Sequence, residues 1–176
     1  MEYLYLTIFF IFGSILGSFY HVIATRFTKG ESIVSPKSHC EKCNHQLSWY
    51  ELIPIISYLL LGGKCRSCKT KLPLSYLLME LCTGILFAVC YHVFGLTLEL
   101  IVALIFVSSL IIIIISDIEY MIILDEVLII AIFAIILIDI VDIGLYKTSI
   151  CILSGIGSFA TMLLIKKLGD LMFKHE

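Results

Sequence analysis

Two pairs of cysteines have the most specific spacing for chemistry in this sequence. Two residues lie between Cys40 and Cys43 and two between Cys65 and Cys68, and residues 44–64 separate the pairs. A Cys-x-x-Cys turn brings two thiolates to one metal ion, and two such turns complete the closed tetrahedral shell of structural zinc. The spacing therefore predicts one zinc ion. Because a closed shell leaves no position for substrate, we expect the ion to be structural.

Carboxylates beside apolar stretches form the second set of candidates. Asp117 follows an isoleucine-rich run, Asp125 opens the next apolar stretch, and Glu80 lies early in another. Two carboxylates that share a water hydrolyse a peptide bond when one acts as base and the other as protonated acid. The structural alternatives are that Asp125 is a helix N-cap and that Asp117 is a polar stop at the headgroups.

The composition requires a membrane around the elements that position these residues. Hydrophobic residues make up 60% of the chain and charged residues 15%, against roughly half and a quarter in soluble domains. The net charge of -2 gives no electrostatic case for nucleic acid as a partner. The sequence predicts an all-α polytopic membrane protein, with transmembrane helices near 3–24, 74–94, 98–116, 127–141 and 148–165. The fourth stretch is short, and its flanks, Leu124 and Ile143, allow it to lengthen.

Two shorter patterns predict contacts. Small residues recur every four positions in the first span, which predicts a face where a neighbouring helix backbone approaches closely. These residues are Gly13, Ser14, Gly17 and Ser18. The run 52–61 is too short to cross a bilayer and too apolar to be solvated, so we expect it at the membrane interface near Trp49 and Tyr50.

Basic residues predict the orientation. Eight of the twelve lysines and arginines lie between the first two spans, and basic loops are retained in the cytoplasm. These eight are Arg26, Lys29, Lys37, Lys42, Lys64, Arg66, Lys69 and Lys71. Five crossings then place the amino terminus outside and the carboxyl terminus inside. Lys166, Lys167 and Lys174 agree with this orientation, and Lys147 alone falls outside.

This orientation favours zinc over the alternative of two disulfides, because the cytoplasm is reducing. The loop, residues 25–73, also has too little core to fold unaided, and metal binding would supply the missing free energy. His39 and His45 lie beside the ligands as an alternative shell, and we interpret them as solvated loop residues. We interpret Cys82, Cys90 and Cys151 as small core residues of apolar helices.

The orientation also limits the carboxylate pair. Asp139 and Asp142 fall at the outer end of their span, roughly 30 Å from Asp117, and are excluded. Asp125 and Asp170 remain as partners. A continuous helix would place Asp125 about 12 Å from Asp117, too far to share a water, so that pair requires a bend in the intervening loop.

Several runs together resemble the type 4 prepilin leader peptidases, which are bacterial membrane aspartic proteases. The matching residues are Phe12–Phe19, Arg26, Gly30-Glu31-Ser32, Ser38-His39-Cys40, Leu47–Pro54, the second cysteine pair, Pro73–Leu81 and Asp117-Ile118-Glu119. The resemblance implies cleavage of the basic leader of type IV prepilins, or of pseudopilins and competence proteins, at the cytoplasmic face of the bacterial inner membrane. It implies Asp117 as the first catalytic aspartate. Many members of that family also N-methylate the new amino terminus with S-adenosylmethionine, so the resemblance allows this second activity here.

The sequence departs from that family's pattern at three places. His21 stands where the family usually has asparagine, and Leu124 stands where it has proline. The second catalytic aspartate of the family lies in a Gly-x-Gly-Asp motif, and the nearest match here is Leu168-Gly169-Asp170. We therefore expect a carboxyl-terminally shortened member that lacks the second aspartate. Its regions would be 1–96, with two spans and the zinc loop, and 97–176, a partial peptidase region with three spans.

Three functional hypotheses follow. The first is a prepilin leader peptidase that uses Asp117. The second is an inactive homologue that binds leader peptides or assembly partners without cutting them. The third makes the cysteine loop a redox-sensing or metal-sensing module on a membrane anchor, and the family residues far from the cysteines disfavour it.

Overall fold

The computed structural model describes residues 1–40 and 42–173, and the side chains of residues up to 170. Apart from two isolated β-bridges, the regular structure in these ranges is helical, which confirms the predicted all-α class. The elements are α1 (Glu2–Thr28), a 3-10 helix (Trp49–Leu52), α2 (Ile56–Leu60), α3 (Leu74–Phe94), α4 (Leu98–Tyr120), α5 (Asp125–Asp142) and α6 (Leu145–Phe173). Lys174, one of the residues used to predict orientation, lies outside the described residues.

Four helices in the described part of the chain are long and apolar enough to cross a membrane: α1, α3, α4 and Leu145–Asp170 of α6. The prediction of five spans is therefore supported for four. The remaining helix, α5, has 18 residues, and Asp125, Glu126, Asp139 and Asp142 are among them. Its carboxylates shorten the uninterrupted apolar stretch below the roughly 20 residues that a span needs.

The small-residue face of α1 packs against α3, as predicted. A Cβ atom at Gly13 would lie 2.8 Å from the backbone oxygen of Thr83, and one at Gly17 would lie 2.9 Å from the Thr83 hydroxyl. Thr83 and Phe87 are 0% and 1% exposed at this contact. The two helix backbones approach closely because neither glycine has a side chain to separate them.

Helix α4 returns along α1 and α3 after the short connection 95–97. Tyr20 on α1 donates a hydrogen bond of 2.6 Å to Ser108 on α4. An apolar cluster continues from that contact towards the end of α4 and comprises Tyr20, Ala24, Ile111, Ile112, Ile115 and Leu124. The end of α4 that carries Asp117 therefore lies beside the end of α1 from which the cysteine loop departs.

The chain bends between α4 and α5, as the pairing of Asp117 with Asp125 would require. Met121 ends α4 in the left-handed conformation, with φ of 54°. The hydroxyl of Ser116 donates a hydrogen bond of 2.6 Å to the Ile122 carbonyl, which fixes the turn. Leu124 is 4% exposed and packs in the α1–α4 cluster, so its apolar side chain anchors the start of α5.

The chain divides into two compact units, Met1–Ile132 and Phe133–Glu176. In the second unit, Thr148 is 2% exposed, and its hydroxyl donates a hydrogen bond of 3.0 Å to the Gly144 carbonyl.

The prediction that all three single cysteines are core residues is wrong for two of them. Cys90 is buried, but Cys82 and Cys151 are exposed.

The run 52–61 forms part of the 3-10 helix and α2, and it presents apolar side chains outward. Trp49, Leu59 and Leu60 are 77%, 64% and 82% exposed. Arg66 donates to the Tyr50 hydroxyl, and its guanidinium lies over the Tyr50 ring. An exposed apolar surface edged by a basic side chain is suited to the interface between headgroups and acyl chains. The interfacial position remains a prediction.

Trp49 is the only tryptophan of the chain, so its fluorescence reports on this segment. In vesicles containing brominated lipids, we expect stronger quenching by bromines near the headgroups than by bromines at the bilayer centre. Leu60→Glu should weaken that quenching because it adds a charge to the inserted surface. Val34→Glu is the matched control, since Val34 is as exposed as Leu60, at 88% against 82%, but lies outside the run. Equal quenching in the wild-type protein and Leu60→Glu would contradict the interfacial position.

Candidate functional site

The two cysteine pairs form two equivalent turns. In the first, Cys40 N–H donates to the His45 carbonyl at 2.9 Å, and Asn44 N–H donates to the Cys40 carbonyl at 2.9 Å. In the second, the matching bonds run from Cys65 N–H to Thr70 and from Lys69 N–H to Cys65, at 2.8 and 3.0 Å. Asn44 and Lys69 occupy the same place and both have positive φ, 54° and 58°. The structure thus confirms that the spacing forms two equivalent cysteine turns.

The four sulfur atoms meet in one cluster within 4.8 Å of one another. Cys40 Sγ lies 3.8 Å from Cys68 Sγ, and Cys43 Sγ lies 3.9 Å from Cys65 Sγ. A tetrahedral ion with Zn–S bonds of about 2.3 Å requires S–S separations of about 3.8 Å, whereas a disulfide requires about 2.05 Å. The donor set and its spacing therefore fit a four-thiolate zinc site.

The pKa values of the thiols differ across the cluster. Hydrogen bonds from the Thr70 hydroxyl and backbone N–H lower the pKa of Cys68 to about 6. Cys43 accepts a backbone hydrogen bond from His45 that lowers its pKa, but desolvation and the three neighbouring sulfur atoms outweigh it and raise the pKa to about 11. Crowded sulfur atoms that cannot all ionise together favour a bound cation, which replaces their protons.

The two histidines beside the cluster differ from each other. His39 is exposed, and its Nδ1 lies 3.0 Å from the Lys37 carbonyl oxygen, which agrees with a solvated loop residue. His45 does not fit that prediction, because its Nε2 lies 3.5 Å from the Oε2 of the buried Glu51. Neither histidine belongs to the sulfur cluster in the described residues.

Two buried carboxylates fix the loop between the cysteine turns. Glu51 Oε2 accepts a hydrogen bond of 2.8 Å from Ser48 N–H, which completes a capping box at the 3-10 helix. Glu80 Oε2 accepts one of 2.7 Å from Ile55 N–H, and the side chain of Ser18 also hydrogen-bonds to Glu80. The bond to Glu80 holds Ile55 at φ of 63°, which costs backbone strain in a β-branched residue.

A cavity of about 640 Å³ lies between the loop and the adjoining ends of α1 and α3. Glu51, Glu80 and Tyr76 are part of its wall. Arg26, 9% exposed, also lines it and donates to the carbonyls of Ser32 and Ile33 at 3.0 and 3.1 Å. Its volume is in the usual range for a small-molecule site, about 300–1,000 Å³.

The structure places the other predicted site residues as follows. Asp117 lies in the last turn of α4 and Asp125 is the first residue of α5, and both are exposed. Glu80 is buried on α3 and supports the loop. Asp170 is exposed on α6, in the second unit. The structure therefore brings the four cysteines together, but it does not establish a carboxylate pair.

Sequence reasoning missed two contacts near these residues. His21 Nε2 lies 2.8 Å from Glu119 Oε1, two residues after Asp117, and the His21 ring packs 3.9 Å from the Tyr76 ring. This contact ties the end of α4 to α1 and α3. Glu51 was also missed, although Ser48-x-x-Glu51 has the spacing of a capping box and could have identified it.

Comparisons with known proteins find similarity over this region. Residues 11–94 match the family described as Bacterial Peptidase A24 N-terminal domain. The match covers most of α1, both cysteine turns and α3, and thus the whole sulfur cluster.

Curated relatives share a common name. The chain is 45% identical over 124 residues to a prepilin leader peptidase/N-methyltransferase of Bacillus subtilis strain 168, covering 70% of this chain and 50% of that protein. It is 42% identical over 111 residues to one of Myxococcus xanthus, covering 63% and 33%. It is 45% identical over 89 residues to one of Vibrio cholerae, covering 46% and 35%. The chain spans half or less of the length of these relatives. No solved structure matches it.

Proposed function

We propose that the chain is a member of the type 4 prepilin peptidase family and that it acts on the leader peptides of type IV prepilins, pseudopilins or competence proteins. The proposed reaction is cleavage at the cytoplasmic face of a bacterial inner membrane, just before the apolar segment of the substrate. The observation that supports it most is the match of residues 11–94, which contain the cysteine cluster, the cavity wall and the tightly packed α1–α3 pair.

The proposed orientation follows from the first three spanning helices. The basic loop between α1 and α3 favours the cytoplasm, and α4 returns from the opposite end of α3. Asp117 is therefore on the same side of the membrane as the cysteine loop, whether or not α5 crosses. The amino terminus would be outside. The carboxyl terminus would be cytoplasmic only if α5 completes a crossing.

Asp117 is the residue to which we assign a catalytic role. As one of two carboxylates, it would take a proton from a water while the water oxygen attacks the scissile carbonyl, and the protonated partner would donate to the leaving nitrogen. The contact between His21 and Glu119 supports this role by fixing the helix end that carries Asp117. Within this chain Asp125 and Asp170 are the candidates for the partner.

The zinc ion has a structural role in this proposal. Cys40, Cys43, Cys65 and Cys68 would hold it and thereby close the loop over the cavity, while the ion contributes folding free energy. We further propose N-methylation of the new amino terminus as a second activity, in line with the name of the relatives. S-adenosylmethionine would supply the methyl group, and the cavity has a suitable volume for a molecule of that kind.

The alternative function is binding of leader peptides without cleavage. It is favoured by one observation: the family match, residues 11–94, contains the sulfur cluster and the cavity wall but ends before Asp117. This alternative keeps the zinc loop and the membrane helices and predicts peptide binding without turnover.

A leader-peptide assay distinguishes the two functions. The purified chain is incubated in lipid with a synthetic peptide that spans a prepilin leader and the first apolar residues, and mass spectrometry follows the products. A fragment that begins at the first apolar segment supports the peptidase. Saturable binding of intact peptide supports the alternative, and absence of both binding and fragments contradicts both proposals.

A further inference from the structure

Two lysines stand opposite each other at the base of the second cysteine turn. Lys64 and Lys71 form an isolated antiparallel β-bridge. A backbone hydrogen bond of 2.8 Å from Cys65 to Thr70 lies on one side of this bridge, and one of 2.7 Å lies on the other. The two lysines are therefore a non-hydrogen-bonded pair, the kind in which opposite side chains are closest. Like charges directly opposite each other destabilise such a pair.

The charges of this pair are not neutralised by the residues that the structure describes. Among residues 1–40 and 42–170, neither Lys64 nor Lys71 takes part in an ion pair or a side-chain hydrogen bond. The equivalent bridge of the first turn joins His39 to Gln46, so the opposed charges are particular to the second turn. An anion between the two ammonium groups would replace their repulsion by two charge-assisted hydrogen bonds.

The cavity beside the pair has a cationic wall. Six of the eight basic residues of the loop line it, against three acids, and Lys64 and Lys71 are among the six. Two of the acids, Glu51 and Glu80, are buried and accept backbone hydrogen bonds. Retention of basic loops in the cytoplasm explains the sign of the charge, but it does not explain why these residues collect on one cavity. The excess of positive charge favours an anionic ligand.

An apolar segment is attached to the same turn. Tyr58 of α2 donates a hydrogen bond of 3.3 Å to the carbonyl of Leu72, the residue after Lys71. The next residues of α2, Leu59 and Leu60, are 64% and 82% exposed. The loop therefore holds two opposed cations beside an exposed apolar surface, which is complementary to a molecule with an anionic head and an apolar tail.

We infer that Lys64 and Lys71 together bind the phosphate of an anionic phospholipid. The phosphate lies between the two ammonium groups, and the acyl chains extend along the exposed leucines of α2. Basic pockets beside spanning helices bind anionic headgroups in this way. A soluble phosphate compound offers the same anion but no tail for the apolar surface, and it is tested separately. The inference goes beyond the proposed function, because the lipid is neither the leader peptide nor the methyl donor.

Native mass spectrometry of the zinc-loaded chain tests the lipid. The chain is released from micelles that contain equal amounts of phosphatidylglycerol and phosphatidylcholine with the same acyl chains. Both lipids have a phosphate, but only phosphatidylglycerol has a net negative charge. We expect the chain to retain phosphatidylglycerol in preference, by about fivefold for each lysine of the pair.

Substitutions locate the headgroup. Lys64→Gln with Lys71→Gln should abolish the preference for phosphatidylglycerol, whereas Lys64→Arg with Lys71→Arg should keep it, because arginine also binds phosphate. Lys37→Gln with Lys69→Asn is the matched control and should leave the preference unchanged. It removes two charges from exposed lysines of the same loop that do not line the cavity, and asparagine suits the positive φ of position 69. The zinc content of each variant reports on the fold of the loop.

Thermal unfolding gives an independent readout. In phosphatidylcholine, Lys64→Gln with Lys71→Gln should unfold at or above the temperature of the wild-type chain, because the repulsion is removed. Phosphatidylglycerol should raise the unfolding temperature of the wild-type chain, since it binds the folded state, and should not raise that of the glutamine variant. Inorganic phosphate added in phosphatidylcholine should leave the wild-type temperature unchanged. A rise equal to that in phosphatidylglycerol would assign the pair to a soluble anion and overturn the lipid.

Two further results would overturn the inference. The first is equal retention of the two lipids by the wild-type chain, a comparison that needs no variant to fold. The second is an equal loss of preference in the Lys37 and Lys69 control, which would indicate a general attraction of the basic loop to anionic surfaces. Leader cleavage is measured on the same preparation. Cleavage without a lipid preference would reject this inference and keep the proposed peptidase.

Discussion

Replacing Cys65 by serine is expected to release the metal ion and unfold the loop between α1 and α3. Cys65 is the most buried ligand, at 4% exposed, and structural zinc sites contribute about 10–16 kcal/mol of binding free energy to folding at neutral pH. Three thiolates leave the shell incomplete. Zinc per chain, measured by atomic emission after dialysis, should fall from about one to near zero. Limited proteolysis should then cut within residues 30–72.

The spanning helices should survive this change. Packing between α1 and α3 depends on Gly13, Gly17 and Thr83, none of which contacts the sulfur cluster, so helical circular dichroism should persist. Cys82→Ser is the matched control, because Cys82 is an exposed thiol on α3. Full zinc retention in Cys65→Ser, or zinc loss in Cys82→Ser, would argue against the four-thiolate site.

Replacing Asp117 by asparagine is expected to abolish leader cleavage. Asparagine keeps the size of the side chain but cannot exchange a proton as a carboxylate does, and loss of a general acid or base typically lowers the rate by about 10²–10⁴-fold. Zinc content and binding of the uncut leader peptide should remain. The rate is measured by mass spectrometry of the released leader, at saturating substrate.

Asp125→Asn and Asp170→Asn test the partner. The substitution that matches the loss in Asp117→Asn identifies the second carboxylate, because two residues that act as a unit give equal and non-additive effects. Cleavage at the wild-type rate in Asp117→Asn would end the aspartic-protease mechanism. If the wild-type chain itself binds without cleaving, the binding function replaces the peptidase.

Local patterns were sufficient to predict much of this molecule. The positions of α1, α3 and α4 follow from apolar length, and both cysteine turns follow from the Cys-x-x-Cys spacing. The small-residue face of α1 correctly predicted a close helix contact, because Gly13 and Gly17 lie on one side of a helix. In each case neighbouring residues in sequence determine the structure.

The failures arose where distant residues decide the outcome. The pairing of His21 with Glu119 joins α1 to α4 across 98 positions, and no local pattern encodes it. His45 was interpreted as solvated because its contact with Glu51 depends on how the loop folds back. Cys82 was interpreted as a core residue because apolar composition does not reveal which face of a helix points outward.

The equivalence of the two cysteine turns has a mechanical consequence. The first turn follows α1 and the second precedes α3, and each sulfur pairs closely with one from the other turn. The metal would thus link the segment that follows α1 to the segment that precedes α3. Residues 44–64 form the loop that this link closes. A force that pulls α1 and α3 apart would therefore act on the metal–sulfur bonds.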